Sequence, residues 1–147
     1  RRQLRYTAIE AFPLEKEIWE KLNYTDLLKG REVKEAFEKM HQLKWGETAR
    51  ISAFFSFEKF FTDIREYEAA AESYGLVYFD AFAPDVQPEL WTEEVFYKIH
   101  EMTRPGGILV TYSCKGTVKR ALRSAGFEIE KLTGPRGKRE MLRALKR

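Results

Sequence analysis

The chain has 147 residues, enough for one domain with a sizeable core. A hydrophobic fraction of 44% with a charged fraction of 33% describes a soluble globular protein, and the lack of any 18-residue apolar run excludes a membrane-spanning helix. The formal net charge of +3 is unevenly spread: residues 1–114 carry 15 Lys and Arg against 20 Asp and Glu, or −5, whereas residues 115–147 carry 11 against 3, or +8, which predicts a polyanionic partner for the last third.

Arg1 and Arg2 lead into mixed polar sequence with no apolar core of a signal peptide. Leu4 to Glu10 alternates and is rich in β formers, which predicts a strand ending at Glu10. Pro13 suits a first helical turn, and Leu14, Ile18 and Leu22 recur every four residues, predicting an amphipathic helix. Asn23 and Gly30 punctuate a loop, and Val33, Phe37 and Met40 predict a second helix over 31–43, with Gly46 beyond its end. Residues 50–61 alternate through Ile51, Ala53, Phe55, Phe57 and Phe61 and read as one strand ending near Thr62 and Asp63. Residues 64–73 read as a short acidic helix.

The stretch Gly75-Leu76-Val77-Tyr78-Phe79-Asp80-Ala81-Phe82-Ala83-Pro84 organises the rest. Its uninterrupted apolar run reads as a strand buried on both faces, and Pro84, with no N–H, ends any ladder. Thr92 is a good N-cap, with Glu93 and Glu94 in the first turn and Val95, Ile99 and Met102 facing inward. Pro105-Gly106-Gly107 is a turn before a buried strand over 108–112. Cys114 excludes an internal disulfide and fits a reducing cytoplasm. Val118, Ala121, Leu122 and Ala125 form the apolar face of a further helix stopped by Gly126, with Lys119, Arg120 and Arg123 outside. Residues 127–132 and 138–145 read as a closing antiparallel pair. His41 and His100 lie on predicted helices as structural or surface residues, and no Cys/His cluster has metal-ligand spacing.

Strands alternating with helices predict a mostly parallel α/β sheet with an antiparallel C-terminal strand. Ligands of such sheets bind beyond the carboxyl ends of the strands, where Glu10, Asp63 and Asp80 all fall. An acid after the second strand of a nucleotide fold can accept the ribose hydroxyls, which fits Glu10, and Asp63 could accept an adenine amino group. The ordinary alternative for Asp80 is a turn cap.

Ile9-Glu10-Ala11-Phe12-Pro13-Leu14, Asp80-Ala81-Phe82-Ala83-Pro84, Pro88-Glu89-Leu90-Trp91-Thr92, Arg104-Pro105-Gly106-Gly107 and Gly137-Lys138-Arg139-Glu140-Met141 occur in that sequence and approximate spacing. Together they resemble the methyltransferase domain of the MnmC family, which modifies the wobble uridine of certain tRNAs, and the resemblance covers nearly the whole chain. It implies a Rossmann-like class I fold in one domain over 1–147. It also implies S-adenosyl-L-methionine as cofactor, tRNA as partner, a cytoplasmic enzyme, and methylation of the amine of 5-aminomethyl-2-thiouridine. Larger members carry a flavin-dependent oxidase as well, so a stand-alone methyltransferase would share its uridine with a separate oxidase. Two features depart from the family. The first strand and its glycine-rich cofactor loop do not precede Glu10, which makes the domain N-terminally incomplete, through truncation or disorder, or else degenerate. Phe61-Thr62 stands where a glycine is usual before Asp63.

Methyl transfer to an amine is a direct displacement that asks for positioning. Asp80, with the carbonyls of the loop after it, would aim the amine, and Phe82 and Trp91 beside Pro84 would stack on the flipped base, core packing being the alternative for both rings. Lys115, Lys119, Arg120, Arg123, Arg136, Lys138 and Arg139 would form a phosphate-contacting face. The alternatives are another transferase on this fold, such as an aminopropyltransferase, and a non-catalytic RNA-binding module.

Overall fold

The computed structural model describes residues 2–28, 30–134 and 140–147. The chain forms two compact units, Arg1–Tyr67 and Glu68–Arg147, each with its own sheet.

In the first unit, β1 (Leu4–Glu10), β2 (Thr48–Ser52) and β3 (Phe55–Phe61) form a sheet in the order β1-β3-β2. β1 runs parallel to β3, and β2 runs antiparallel to it. The single strand expected over 50–61 is therefore a hairpin turning at Ala53 and Phe54. Ser52 Oγ accepts from the Phe54 amide at 3.3 Å, and the Arg50 guanidinium donates to the Ser52 and Ala53 carbonyls at 3.2 and 3.1 Å. These side-chain bonds stabilise a turn that loose alternation does not reveal.

The helix expected from Leu14 to Leu22 is reduced to α1 (Lys16–Trp19), and a short α2 (Tyr24–Leu28) occupies the expected loop. The residue that packs is Trp19, stacked on His41 at 4.7 Å and edge-on to Phe37 at 6.2 Å, while Leu14 and Ile18 stay exposed. A short helix whose apolar stripe is not buried is marginal, which is why this one stops after one turn. α3 (Arg31–Gln42) forms as its periodicity predicts. The acidic segment after Asp63 is not helical: it turns at once, because the Asp63 carbonyl accepts from the Glu66 and Tyr67 amides, and Tyr67 is buried against Phe60 at 5.3 Å.

A row of side chains crosses this sheet. Thr7 on β1, Glu58 on β3 and Thr48 on β2 are register partners and so share a face. The buried Glu58 carboxylate accepts from Thr7 Oγ1 at 2.6 Å, Thr48 Oγ1 at 3.1 Å, and Arg5 Nε and Nη2 at 3.1 and 2.7 Å. On the opposite face the buried Lys59 donates to the His41 carbonyl at 2.6 Å, at the end of α3, and lies 4.6 Å from the Trp45 ring centroid. A cation is favourable at a helix C-terminus.

In the second unit, β4 (Tyr74–Phe79), β5 (Thr103–Thr111), β6 (Glu128–Thr133) and β7 (Glu140–Leu145) pair in the order β4-β5-β7-β6. β4 and β5 are parallel, and β7 is antiparallel to both of its neighbours. The last strand thus lies inside the sheet between β5 and β6. Leu109 and Thr111 on β5 pair with Ala144 and Leu142 on β7, and all four are buried on one face. The core of the unit joins them to Phe96 and Ile99 of α4 (Glu93–Met102) and to Val118 and Leu122 of α5 (Gly116–Ser124). Thr92 caps α4 as expected, its Oγ1 accepting from the Val95 amide at 3.3 Å. β4 is less enclosed than its composition suggests: Phe79 is buried, but Leu76 and Tyr78 are exposed.

The expected turn Pro105-Gly106-Gly107 lies within β5 as an irregularity, where Tyr74 pairs with Thr103 but Leu76 already pairs with Ile108. Gly106 takes a φ of 73°, and a Cβ on Gly107 would meet the Arg104 carbonyl at 2.8 Å. Glycine is required at both. The Gly106 amide donates to the Lys146 carbonyl at 2.8 Å, and the Lys146 amide donates to the Gly107 carbonyl at 3.0 Å, which seats the end of β7 against the bulge.

Burial pushes the Glu58 carboxyl up, but its bonds from Arg5, Thr7 and Thr48, with the Arg5 charge, outweigh this and hold it below the ordinary carboxylate range. Its contribution to stability is therefore full above the unfolded carboxylate pKa of about 4.3 and is lost as pH falls through the folded value. Glu58→Gln is expected to cost about 1.5–3 kcal/mol at pH 7 and progressively less below about pH 4. Thermal melting of both proteins across pH checks this, and equal stability at pH 7 would contradict it.

Candidate active site

Glu10 and Asp63 leave the sheet of the first unit at one edge. Glu10 pairs with Phe61 in the parallel register, and the Thr62 amide extends the ladder to the Glu10 carbonyl at 3.2 Å. Glu10 is exposed. Its Oε1 accepts from the Phe12 amide at 2.8 Å, which fixes the carboxylate over the bend and leaves Oε2 without a partner among the described residues. Asp63 differs. Its Oδ1 accepts from the Arg65 amide and Nε at 2.8 and 3.0 Å, and its Oδ2 from Arg65 Nη2 at 2.8 Å. Both oxygens are engaged within its own turn, by an arginine that no sequence motif marks. Glu10 is the open acceptor of the pair.

His41 is structural. Burial first, and the Lys59 charge second, lower its pKa and favour the neutral imidazole between Trp19 and Phe37. Burial likewise lowers the pKa of Lys59. Among the described residues, no group of three or more His, Cys, Asp or Glu is arranged to hold a metal ion.

In the second unit, the loop after β4 is tied down at successive carbonyls. Tyr112, one residue past β5, donates its hydroxyl to the Ala81 carbonyl at 2.9 Å. Trp91 donates its indole N–H to the Phe82 carbonyl at 2.8 Å. The Ala83 carbonyl accepts from the Val86 and Gln87 amides at 2.7 and 3.0 Å. Trp91 is only 6% exposed, packed edge-on against Phe79, Phe96 and Tyr112 at 5.1, 6.2 and 5.9 Å. It therefore holds the loop from beneath and offers no open face to a base. Phe82 is the opposite case: its ring is 64% exposed while its carbonyl is held, and Pro84 beside it is half-buried. Asp80 opens the loop with an exposed carboxylate that makes no hydrogen bond among the described residues, so it does not cap the turn.

Lys115 precedes α5 and forms an ion pair with Asp85 of the same loop. Arg120 and Arg123 are exposed on α5, Lys119 is half-buried there, and none of the three forms an ion pair among the described residues. Other cations of the basic third are neutralised across β6 and β7: Lys131 pairs with Glu140 at 3.0 Å, Arg143 with Glu130, and Arg147 with Glu128 at 2.7 Å. Arg136, Lys138 and Arg139, expected on the same face, lie outside the described residues.

Residues 28–147 match the family described as S-adenosyl-L-methionine-dependent methyltransferase. The chain belongs to that family. Two curated relatives are tRNA 5-methylaminomethyl-2-thiouridine biosynthesis bifunctional proteins MnmC. That of Psychrobacter sp. (strain PRwf-1) is 45% identical over 69 residues, which are 47% of this chain and 9% of the relative. That of Aeromonas hydrophila subsp. hydrophila is 42% identical over 65 residues, 44% of this chain and 10% of the relative. The matched stretch thus spans about a tenth of the curated relatives' length. In fold, the chain is similar over 99% of its length to 44% of the crystallised MNMC2 from Aquifex aeolicus, with a TM-score of 0.69 at 23% identity. The resemblance to an MnmC methyltransferase domain and the Rossmann-like fold expected from the sequence are both borne out.

As a methyltransferase of this family the chain takes S-adenosyl-L-methionine as cofactor. The open oxygen of Glu10, at the carboxyl end of a parallel strand, fits the acceptor that a ribose diol needs. Glu10→Ala is expected to weaken S-adenosyl-L-methionine binding by about 1.5–3 kcal/mol, the scale of a charged hydrogen-bonding partner. Calorimetric titration checks this, and an unchanged dissociation constant would remove Glu10 from the cofactor site.

Proposed function

We propose that this methyltransferase methylates the aminomethyl nitrogen of 5-aminomethyl-2-thiouridine at the wobble position of tRNA. The observation that carries the reading is the pinned loop after β4, where an exposed carboxylate at Asp80 and an exposed ring at Phe82 share one framework of bonded carbonyls. The names of the MnmC relatives support the choice of substrate.

When bound, the cofactor supplies an electrophilic methyl on a sulfonium. The nucleophile is a neutral amine whose nitrogen gains positive charge as it attacks. A carboxylate accepting one amine N–H both aims the lone pair and stabilises that developing charge. Asp80 has the free oxygens for this role. The carbonyls of Ala81 and Phe82 each accept one donor within the loop and keep a second lone pair, so they can share the orienting role with Asp80. The Phe82 ring stacks on the uracil base, since single-stranded bases are commonly held on exposed aromatics. Lys119, Arg120 and Arg123 on α5 contact tRNA phosphates, together with Lys138 and Arg139, and Lys115 joins them by exchanging Asp85 for a phosphate. A flavin-dependent oxidase acting on the same uridine, and a cytoplasmic location, complete the proposal.

Nucleoside mass spectrometry of tRNA from a strain lacking the gene tests the reaction. The account expects 5-aminomethyl-2-thiouridine to accumulate at the expense of its methylated product, and unchanged nucleosides would overturn it. An aminopropyltransferase would show no tRNA binding, and a non-catalytic RNA module would bind tRNA without S-adenosyl-L-methionine. Replacing Lys119→Glu with Arg120→Glu is expected to reduce the slope of log affinity against log salt by about 0.7–0.9 for each phosphate no longer neutralised. An unchanged slope would place the RNA footprint elsewhere.

A further inference from the structure

We infer that Tyr112 and Trp91 are positioning residues for methyl transfer, acting as two hydrogen-bond donors that hold the main chain after Asp80 at one setting. The inference rests on the role proposed above for Asp80 and assigns the residues through which that role is maintained.

Register is the first support. Phe79 pairs with Thr111 in the parallel ladder, so Asp80 and Tyr112 are the next residues on neighbouring strands and leave the sheet side by side. A tyrosine at that position reaches the loop at its second residue, and its 2.9 Å bond to the Ala81 carbonyl fixes the peptide that follows Asp80. The indole of Trp91 fixes the next peptide through the Phe82 carbonyl at 2.8 Å. Neither donor is free to drift. Trp91 packs against Phe79, Phe96 and Tyr112, so the residue before Asp80, both donors and α4 form one aromatic cluster.

The second support is which groups are left over. The two donors each bind one carbonyl, at 81 and 82, the Ala83 turn engages the next, and the exposed carboxylate of Asp80 makes no hydrogen bond among the described residues. Each donor has one N–H or O–H, and both protons are committed to main-chain carbonyls. Burial, and then the Asp80 charge, raise the pKa of the Tyr112 phenol, which favours its protonated, donating form.

Tyr112→Phe removes the first donor and keeps the ring that packs on Trp91. With purified protein, S-adenosyl-L-methionine and tRNA carrying 5-aminomethyl-2-thiouridine, it is expected to slow single-turnover methylation by roughly 10- to 100-fold, the range that an ångström of misplacement produces. Affinities for tRNA and cofactor should stay within about twofold, since phosphate contacts dominate tRNA binding. In an Asp80→Ala background, Tyr112→Phe should cause no further loss, because a residue acting through Asp80 has nothing left to position. Trp91→Phe is expected to behave in the same way, with exchange of the amides of residues 82, 83 and 85–87 accelerated in both single variants. Two results would overturn the inference alone: a slow Asp80→Ala with Tyr112→Phe at the wild-type rate, or equal losses from Tyr112→Phe in both backgrounds. Asp80→Ala at the wild-type rate would overturn the reading of the site and the inference with it.

Discussion

The parallel pairing of β4 with β5 is the constraint on which the Asp80 loop depends. Hydrogen bonds from Leu76–Ile108 through Phe79–Thr111 set both strands to end at the same level. A shift of one residue would turn Asp80 to the other face and carry Tyr112 away from the Ala81 carbonyl. The register is in turn held from below. Gly106 and Gly107 let β5 absorb its extra residues in a bulge whose amide and carbonyl also anchor Lys146 at the end of β7. β7 then buries Leu142 and Ala144 beside Thr111 and Leu109. The Arg-Pro-Gly-Gly motif, remote from Asp80 in sequence, thereby sets where Asp80 emerges.

Electrostatics divides the charged residues into those that build the fold and those left for ligands. Glu58 is the clearest structural charge, enclosed by bonds from the two strands that flank its own. The acids Glu128, Glu130 and Glu140 are each matched by a cation across β6 and β7. Much of the basic character of the last third is therefore internal pairing, and the cations of α5 are left without an ion pair among the described residues. The carboxylates sort in the same way: Asp63 is consumed by Arg65, whereas Glu10 and Asp80 keep open oxygens.

Wherever one local rule governs the outcome, the fold is legible in the sequence. β1, α3, the Thr92 cap, α5 and the closing antiparallel strands follow from alternation, 3.6-residue periodicity and cap chemistry. The errors fall where side chains distant in sequence decide. Trp19 finds its partners on α3, so the Leu14-Ile18-Leu22 stripe does not become a buried face. The turn at Ala53 is stabilised by Arg50 and Ser52, which read as ordinary strand residues. At the site, Asp80 and Glu10 are visible as acids at strand ends. The bond from Tyr112 to the Ala81 carbonyl is hidden, because it exists only once β4 and β5 are placed in register. Trp91 stands out in the sequence, where base stacking and core packing both stay open, since no pattern distinguishes a loop tryptophan that stacks on a base from one that packs inward and donates its N–H.

The central claim is that Asp80 serves the chemical step and neither the fold nor tRNA binding. Single-turnover methylation by Asp80→Ala, measured beside its tRNA affinity and its thermal melting, tests this most directly. The account predicts a rate about 100-fold lower with affinity and melting temperature near those of the unaltered protein, and a milder loss for Asp80→Asn, which keeps a carbonyl acceptor. A less stable Asp80→Ala protein whose folded fraction methylates at the normal rate would contradict it.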